Sequence, residues 1–199
     1  VIDLLYEQSG IRSMLEKENF DSLSYSYYEG QDLERFQKNV ATAKNFIKTF
    51  NSDYHNLFFY GTVGTGKSFL SGCVAKELIE NGHSVIYFSA AGLFDTLSKF
   101  KFDYKNADEL HKEYEDLFQC DLLIIDDLGT ENVNNFTVSQ LFLCLNHRQE
   151  HRKSTIISTN LPVEAIQDIY SERISSRIIS YYNIFLIFGD DIRIRIARS

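Results

Sequence analysis

Cysteine is scarce and scattered: Cys73, Cys120 and Cys144 are the only three in 199 residues. An odd count with no C-x-x-C pair excludes a disulfide framework and a structural zinc site, and it fits a reducing compartment. Cys73 and Cys144 fall on apolar helical stripes and read as small core residues. Positive charge is also in short supply, with 20 Lys and Arg against 28 Asp and Glu for a net −8. The surface as a whole is therefore no magnet for nucleic acid, and any such contact must come from a local patch. No apolar run approaches the roughly 20 residues that span a bilayer, and no signal-peptide pattern opens the chain. The expectation is a soluble cytoplasmic protein with no membrane partner. Repeats, linkers and low-complexity tracts are missing as well, which leaves one globular domain with a single sizeable core. The chain begins on Val1 without an initiator Met, so an upstream segment is expected, and partner-binding modules often occupy such segments.

Against these absences stands Gly61-Thr62-Val63-Gly64-Thr65-Gly66-Lys67-Ser68, which fits G-x-x-x-x-G-K-[ST]. Glycines let backbone N–H groups close around a β-phosphate, Lys67 can reach the β/γ oxygens, and the Ser68 hydroxyl can ligate Mg²⁺. Context supports the motif. Leu57-Phe58-Phe59-Tyr60 supplies an apolar strand before it, and Phe69, Leu70, Cys73, Val74, Leu78 and Ile79 recur at helical spacing after it, up to Asn81-Gly82. The residues assigned to a nucleoside triphosphate are thus Gly61, Thr62, Val63, Gly64, Thr65, Gly66, Lys67, Ser68 and Phe69.

The rest of the chain alternates strand and helix. Residues 1–30 lack clear periodicity and carry Phe20, Tyr25, Tyr27 and Tyr28, so they read as a lead-in packed on the core. Leu33, Phe36, Val40, Ala43, Ile47 and Phe50 mark an amphipathic helix from Asp32 to Phe50. A second strand is expected at Ser84–Ser89, and Leu93, Phe94, Leu97 and Phe100 mark a helix after it. Asn106 is a candidate N-cap for the next helix, marked by Leu110, Tyr114, Leu117 and Phe118. A strand follows at Leu122–Asp126, a helix around Val138–Leu145, a strand at Thr155–Ser158, helical segments across Val163–Ile179 and a last strand at Ile184–Phe188. This order predicts an α/β fold whose parallel sheet lies between helical layers, with ligands at the carboxyl ends of the strands. The expected organisation is lead-in 1–30, core 31–189 and a short tail 190–199.

Leu122-Leu123-Ile124-Ile125-Asp126-Asp127 ends an apolar strand in two carboxylates, where a Walker B strand belongs. Asp126 is expected to hold Mg²⁺ through its water shell, and Asp127 to orient or deprotonate the attacking water. Thr155-Ile156-Ile157-Ser158 runs into Thr159-Asn160, where Asn160 is a candidate holder of that water; a plain turn former is the alternative. Glu172-Arg173-Ile174-Ser175-Ser176-Arg177 puts two arginines on one helix face. Arg177 is the first candidate for an arginine finger acting on a neighbouring subunit and Arg173 the second, with simple surface charge as the alternative.

The order of these parts resembles the AAA+ ATPases, and more closely the DnaC/DnaI-type helicase loaders with their IstB-type transposition relatives, over about residues 15–190. The residues that carry the resemblance are Gly61–Ser68, Ile124-Ile125-Asp126-Asp127-Leu128-Gly129, Ser158-Thr159-Asn160 and Ser176-Arg177-Ile178. It implies a P-loop NTPase core with a five-stranded sheet of order 5-1-4-3-2, ATP and Mg²⁺ as ligands, and assembly of a homo-oligomer through Arg177. It also implies a role in placing a replicative DNA helicase on single-stranded DNA. Gly189–Ser199 is too short for the helical lid of most AAA+ proteins, so the lid is expected to be absent or vestigial, with Arg193 the candidate for its sensor. In this family the insert after the second strand contributes to single-strand binding. Here that segment interleaves Lys99, Lys101 and Lys105 with Phe100, Phe102 and Tyr104, a mix that suits phosphate pairing and base stacking; a solvated helix end with core-facing rings is the alternative. The lead-in around Asn19 and Phe20 is where the base would be covered, or is simply core.

Three rivals bear weighing. His147-Arg148-Gln149-Glu150-His151 spells H-x-x-E-H, an inverted zinc-protease signature. It lacks a companion ligand and sits beyond the apolar stripe ending at Leu145, so a solvated helix end is expected. A small-molecule kinase needs a lid and an acceptor pocket that the sequence does not show. An IstB-like transposition helper shares every core motif, and the core alone does not separate it from a helicase loader.

Overall fold

A computed structural model describes residues 15–102 and 107–187. After a 3₁₀ turn at Phe20–Ser22, the elements run α1 (Gly30–Thr49), β1 (Leu57–Tyr60), α2 (Lys67–Glu80), β2 (Val85–Ser89), α3 (Ala90–Phe102) and α4 (Ala107–Gln119). They continue through β3 (Leu122–Leu128), α5 (Asn135–Glu150), β4 (Ser154–Thr159), α6 (Val163–Ile169), α7 (Glu172–Tyr181) and β5 (Asn183–Leu186). The five strands form one sheet of order β2-β3-β4-β1-β5, every pair parallel. Read from the other edge, this is the 5-1-4-3-2 order that the resemblance implied. The Asn106 cap, Lys105, Phe188 and Arg193 lie outside the described residues, as do the first 14 residues and the tail.

The strands read as continuous apolar runs because both faces of the sheet are covered. Side chains alternate between two cores. Phe58, Leu123, Ile125 and Ile157 pack with α3, α4, α5 and α7 on one face. Leu57, Phe59, Leu122, Ile124 and Ile156 pack with α1 and α2 on the other, where Phe36, Val40, Ala43 and Phe46 supply the apolar stripe of α1. Cys73, Cys120 and Cys144 are all buried and free. Asn56, just before β1, ties the far end of the sheet: its Nδ2 donates to the Tyr181 carbonyl at 3.1 Å and its Oδ1 accepts from Thr155 N–H at 2.8 Å.

One irregularity positions the site. β3 runs two residues past the expected end, to Leu128, and its register against β4 shifts between Ile125 and Leu128. Ile125 pairs with Ile157 and Leu128 with Thr159, so Asp126 and Asp127 together face the single residue Ser158. This is a β-bulge, with Asp127 in the left-handed region at φ +56°. The chain then turns at Gly129, whose φ of +102° and whose contact with Leu161 leave no room for a side chain: an added Cβ would lie 2.5 Å from Leu161 Cδ1. That explains the glycine of the Asp-Asp-Leu-Gly run.

Gly61 faces a harder constraint, because a Cβ there would lie 1.9 Å from the Ile187 carbonyl oxygen, whereas one at Gly82 would meet nothing within 4 Å. Both residues have positive φ. Gly61→Ala is therefore expected to destabilise the fold by about 1–3 kcal/mol more than Gly82→Ala, measured by urea unfolding; equal losses would contradict this packing.

Candidate functional site

The first turn of a helix presents N–H groups that the helix itself does not use. At α2 that turn is Lys67, Ser68 and Phe69, and its N-cap, Gly66, is left-handed (φ +99°) and supplies no side-chain cap. The turn opens onto a cavity of about 480 Å³ lined by Val63–Phe69, Asp127, Asn160 and part of the lead-in. An uncapped helix start at the end of a central strand is a site for an anion. Lys67 is 4% exposed, and its Nζ donates to the carbonyls of Gly61 (2.9 Å) and Thr62 (2.7 Å). The loop is braced from below: Thr65 Oγ1 donates to Thr62 O at 2.8 Å and has Ile187 O within 3.1 Å.

Asp126 is buried and sits among hydroxyls. Ser68 Oγ donates to its Oδ1 at 3.1 Å, Tyr87 OH to its Oδ2 at 2.8 Å, and Ser158 Oγ to its Oδ1. Burial and the adjacent Asp126 carboxylate push the Tyr87 phenol far up, so it remains a neutral donor. The bulge turns Asp127 away from Asp126 and onto the cavity wall, beside the exposed Asn160. The two acids thus occupy different surroundings, one held among donors behind Ser68 and one on the cavity wall. A hydroxyl and a carboxylate oxygen 3.1 Å apart, at a helix start that attracts phosphate, form the donor set that a hard divalent cation takes.

The lead-in closes the cavity on the other side. Tyr28 stacks on Phe36 with ring centroids 3.9 Å apart, and its hydroxyl donates to Thr65 O at 3.0 Å. Leu23, Tyr27, Tyr28 and Glu18 line the cavity, but Asn19 and Phe20 do not. Asn19 caps the 3₁₀ turn, accepting from the N–H groups of Asp21 and Ser22, while Phe20 lies 5.1 Å beneath the Lys44 ammonium. The lead-in around Asn19 and Phe20 thus lines the cavity, while these two side chains themselves serve the turn and the core. A buried Asn satisfies its own turn first, and sequence order alone does not show which lead-in side chains face the loop.

Arg177 does not line this cavity. Its guanidinium lies 4.7 Å over the Phe142 ring and donates to Asn146 and Gln149 of α5. It borders a separate surface hollow with Arg173, Ser176 and Tyr181. Lys99 pairs with Asp95 at 2.6 Å, one helical turn away. The side chain of Lys101, and Lys105 altogether, lie outside the described residues.

The H-x-x-E-H pentapeptide is not a solvated helix end throughout, because Arg148 is 0% exposed. It continues the stripe of Leu141, Cys144 and Leu145, and its guanidinium reaches Leu117 O (2.8 Å), Ser154 O (2.6 Å), Thr155 Oγ1 (3.1 Å) and Cys120 Sγ (3.2 Å). A buried cation must satisfy its donors, and carbonyls do so here. His147 and His151 stack on each other at 4.0 Å rather than converging on a common point. Among the described residues no three or more His, Cys, Asp or Glu side chains are grouped to hold a metal as a zinc site would need, and no helix is long and apolar enough to cross a membrane.

Comparison with known proteins agrees with this architecture. A family model described as "IstB-like ATP binding protein" matches residues 8–196. The replicative helicase loader DnaC of Escherichia coli K12 is 25% identical over 187 residues, which is 94% of this chain and 73% of DnaC. The crystal structure of the DnaC helicase loader superposes with a TM-score of 0.75 at 21% identity, over 87% of this chain and 98% of that one. AMPPCP-bound DnaA from Aquifex aeolicus gives 0.72 at 23% identity, over 92% of this chain and 54% of that one. The superpositions show a shared fold.

Glu18 was not singled out from the sequence. Its Oε2 is buried with no hydrogen-bond partner among the described residues, and burial, then the Asp126 carboxylate, push its carboxyl above the usual range. The folded chain then holds this proton to higher pH than the unfolded chain does, so the associated stability is present at low pH and lost as pH rises through the raised value. Glu18→Gln is expected to raise the thermal midpoint at pH 8 and leave it little changed near pH 4; equal shifts at both would contradict the assignment.

Proposed function

We propose, on the premise that this chain belongs to the family of IstB-like ATP binding proteins and is an AAA+ ATPase, that its task is to place a replicative ring helicase on single-stranded DNA in the cytoplasm. The observation that carries the reading is a single cavity in which the uncapped start of α2, Lys67, Asp127 and Asn160 meet. A triphosphate fits this cradle: backbone N–H groups of Gly64–Phe69 face the phosphates, and the Lys67 ammonium exchanges two loop carbonyls for phosphate oxygens. Ser68 and Asp126 would hold Mg²⁺, which when bound neutralises charge on the β- and γ-phosphates. Asp127 orients or deprotonates the attacking water, and Asn160 steadies that water from the end of β4.

Arg177 belongs to assembly in this scheme. It lies off its own subunit's cavity and is held by α5, so a guanidinium acting on phosphate from this position acts on a neighbour's, as an arginine finger does. Single-stranded DNA is assigned to the segment of Lys99, Lys101 and Lys105. The helicase partner follows the named DnaC relatives, of which this chain covers 73%. An IstB-like transposition helper is the second reading, favoured by the family description itself.

Two outcomes test the proposal. Lys67→Ala is expected to weaken nucleotide binding and turnover together, whereas Asp127→Asn keeps binding and loses turnover by about 10²-fold or more. Mixing Arg177→Ala with Asp127→Asn protein then restores part of the activity, because one mixed interface carries both intact groups; no recovery would remove action across subunits. In the second test, the full-length protein forms an ATP-dependent complex with the replicative helicase from its own source. Capture of a transposase in its place would favour the alternative.

A further inference from the structure

The bulge at the end of β3 does more than lengthen a strand. Two consecutive carboxylates on a regular strand point to opposite faces of the sheet, and neither direction is the cavity at the strand ends. Asp126 and Asp127 escape that geometry because they share one partner position, Ser158. The Ser158 hydroxyl fills the position from both sides: it donates to Asp126 Oδ1 and accepts the Asp127 N–H at 3.0 Å. That second bond secures the residue whose backbone is left-handed at φ +56°. An Asp in this region lies in a sparsely populated conformation that surrounding structure must hold. Ser158 is 0% exposed, so no water replaces its hydroxyl.

Tyr87, one strand further out on β2, completes the arrangement. Its hydroxyl donates to Asp126 Oδ2 at 2.8 Å, while Oδ1 faces Ser68 at 3.1 Å. Tyr87 thus holds Oδ2 from the side, while Oδ1, which also accepts from Ser158, faces the start of α2. Rotation of the carboxylate about the Cβ–Cγ bond is thereby restricted before any ligand arrives.

We propose that Ser158 and Tyr87 are positioning residues: together they set Asp126 in the orientation that receives Mg²⁺, and Ser158 alone also aims Asp127 into the cavity. This rests on the ATP·Mg²⁺ reading above and adds two residues to it. Neither touches the phosphates; both act through the carboxylates. Outer partners of metal ligands contribute about 10–100-fold to metal affinity in other sites, and the same range is expected here.

The experiment measures the affinity of the full-length protein for a fluorescent, non-hydrolysable ATP analogue in Mg²⁺ and in EDTA, with turnover followed separately. The wild type is expected to bind more tightly in Mg²⁺. Tyr87→Phe and Ser158→Ala are expected to lose about tenfold of the Mg²⁺-dependent affinity while their EDTA affinities stay within about twofold of wild type. Raising Mg²⁺ recovers turnover in Tyr87→Phe but not in Ser158→Ala, because only the latter also releases Asp127. Circular dichroism screens each variant for folding; Tyr87→Phe, which deletes one oxygen and keeps the ring, carries the test should Ser158→Ala not fold. Folded variants with a wild-type Mg²⁺ dependence would overturn the proposal and leave the ATP site standing. A wild type that binds no analogue in either buffer would remove the site and the proposal together.

Discussion

A carboxylate taken out of water at the end of an apolar strand must be surrounded by donors, and the arrangement of this molecule around Asp126 follows from that requirement. Three hydroxyls, from α2, β2 and β4, converge on it. They can do so because the parallel order β2-β3-β4 puts the ends of all three strands at one edge, and because α2 starts at that edge after β1. The crossover that carries the chain from β1 to β2 thus delivers Ser68 to the acid. Removing any of the strands from the sheet would leave a charge without its shell, so the fold and the site are one constraint.

The phosphate loop is governed by the complementary requirement. Its excess of donors at the start of α2 is matched by carbonyls that side chains hold in place: Tyr28, from outside the loop, engages Thr65 O, and Lys67, within it, engages Gly61 O and Thr62 O. The Tyr28 oxygen also occupies the space that a side chain at Gly66 would need, 2.9 Å from the would-be Cβ. The lead-in is therefore a wall of the cavity as well as a cover for α1. Leu23, Tyr27 and Tyr28 stand on that wall opposite the loop.

Much of this was legible in the sequence because it is carried by period and punctuation. Leu122–Ile125 reads as a buried strand and the stripe of α1 as an amphipathic helix, and G-x-x-x-x-G-K-S needs no tertiary context to be found. The strand order came from the resemblance, since period alone does not say which strands are neighbours. What escaped was set by contacts between distant segments. Tyr87 and Ser158 look like ordinary members of apolar strands, and their hydroxyls acquire meaning only when register places them against Asp126. Arg148 broke the hydrophobic pattern at the end of α5 because its partners are carbonyls from α4 and β4, some close and some about 30 residues away, which no local reading pairs with it. Asn19 and Phe20 form a turn that leaves the cavity wall to Glu18 and Leu23, a division that chain order alone does not show.

The most direct measurement is a crystal structure of the full-length protein with a non-hydrolysable ATP analogue and Mn²⁺ in place of Mg²⁺, the cation located by its anomalous signal. The account predicts the triphosphate against Gly64–Phe69, the Lys67 ammonium moved off the carbonyls of Gly61 and Thr62, and the Mn²⁺ peak between Ser68 Oγ and the Asp126 carboxylate. A peak remote from Asp126, or a nucleotide seated elsewhere with Lys67 still bound to its own loop, would contradict it.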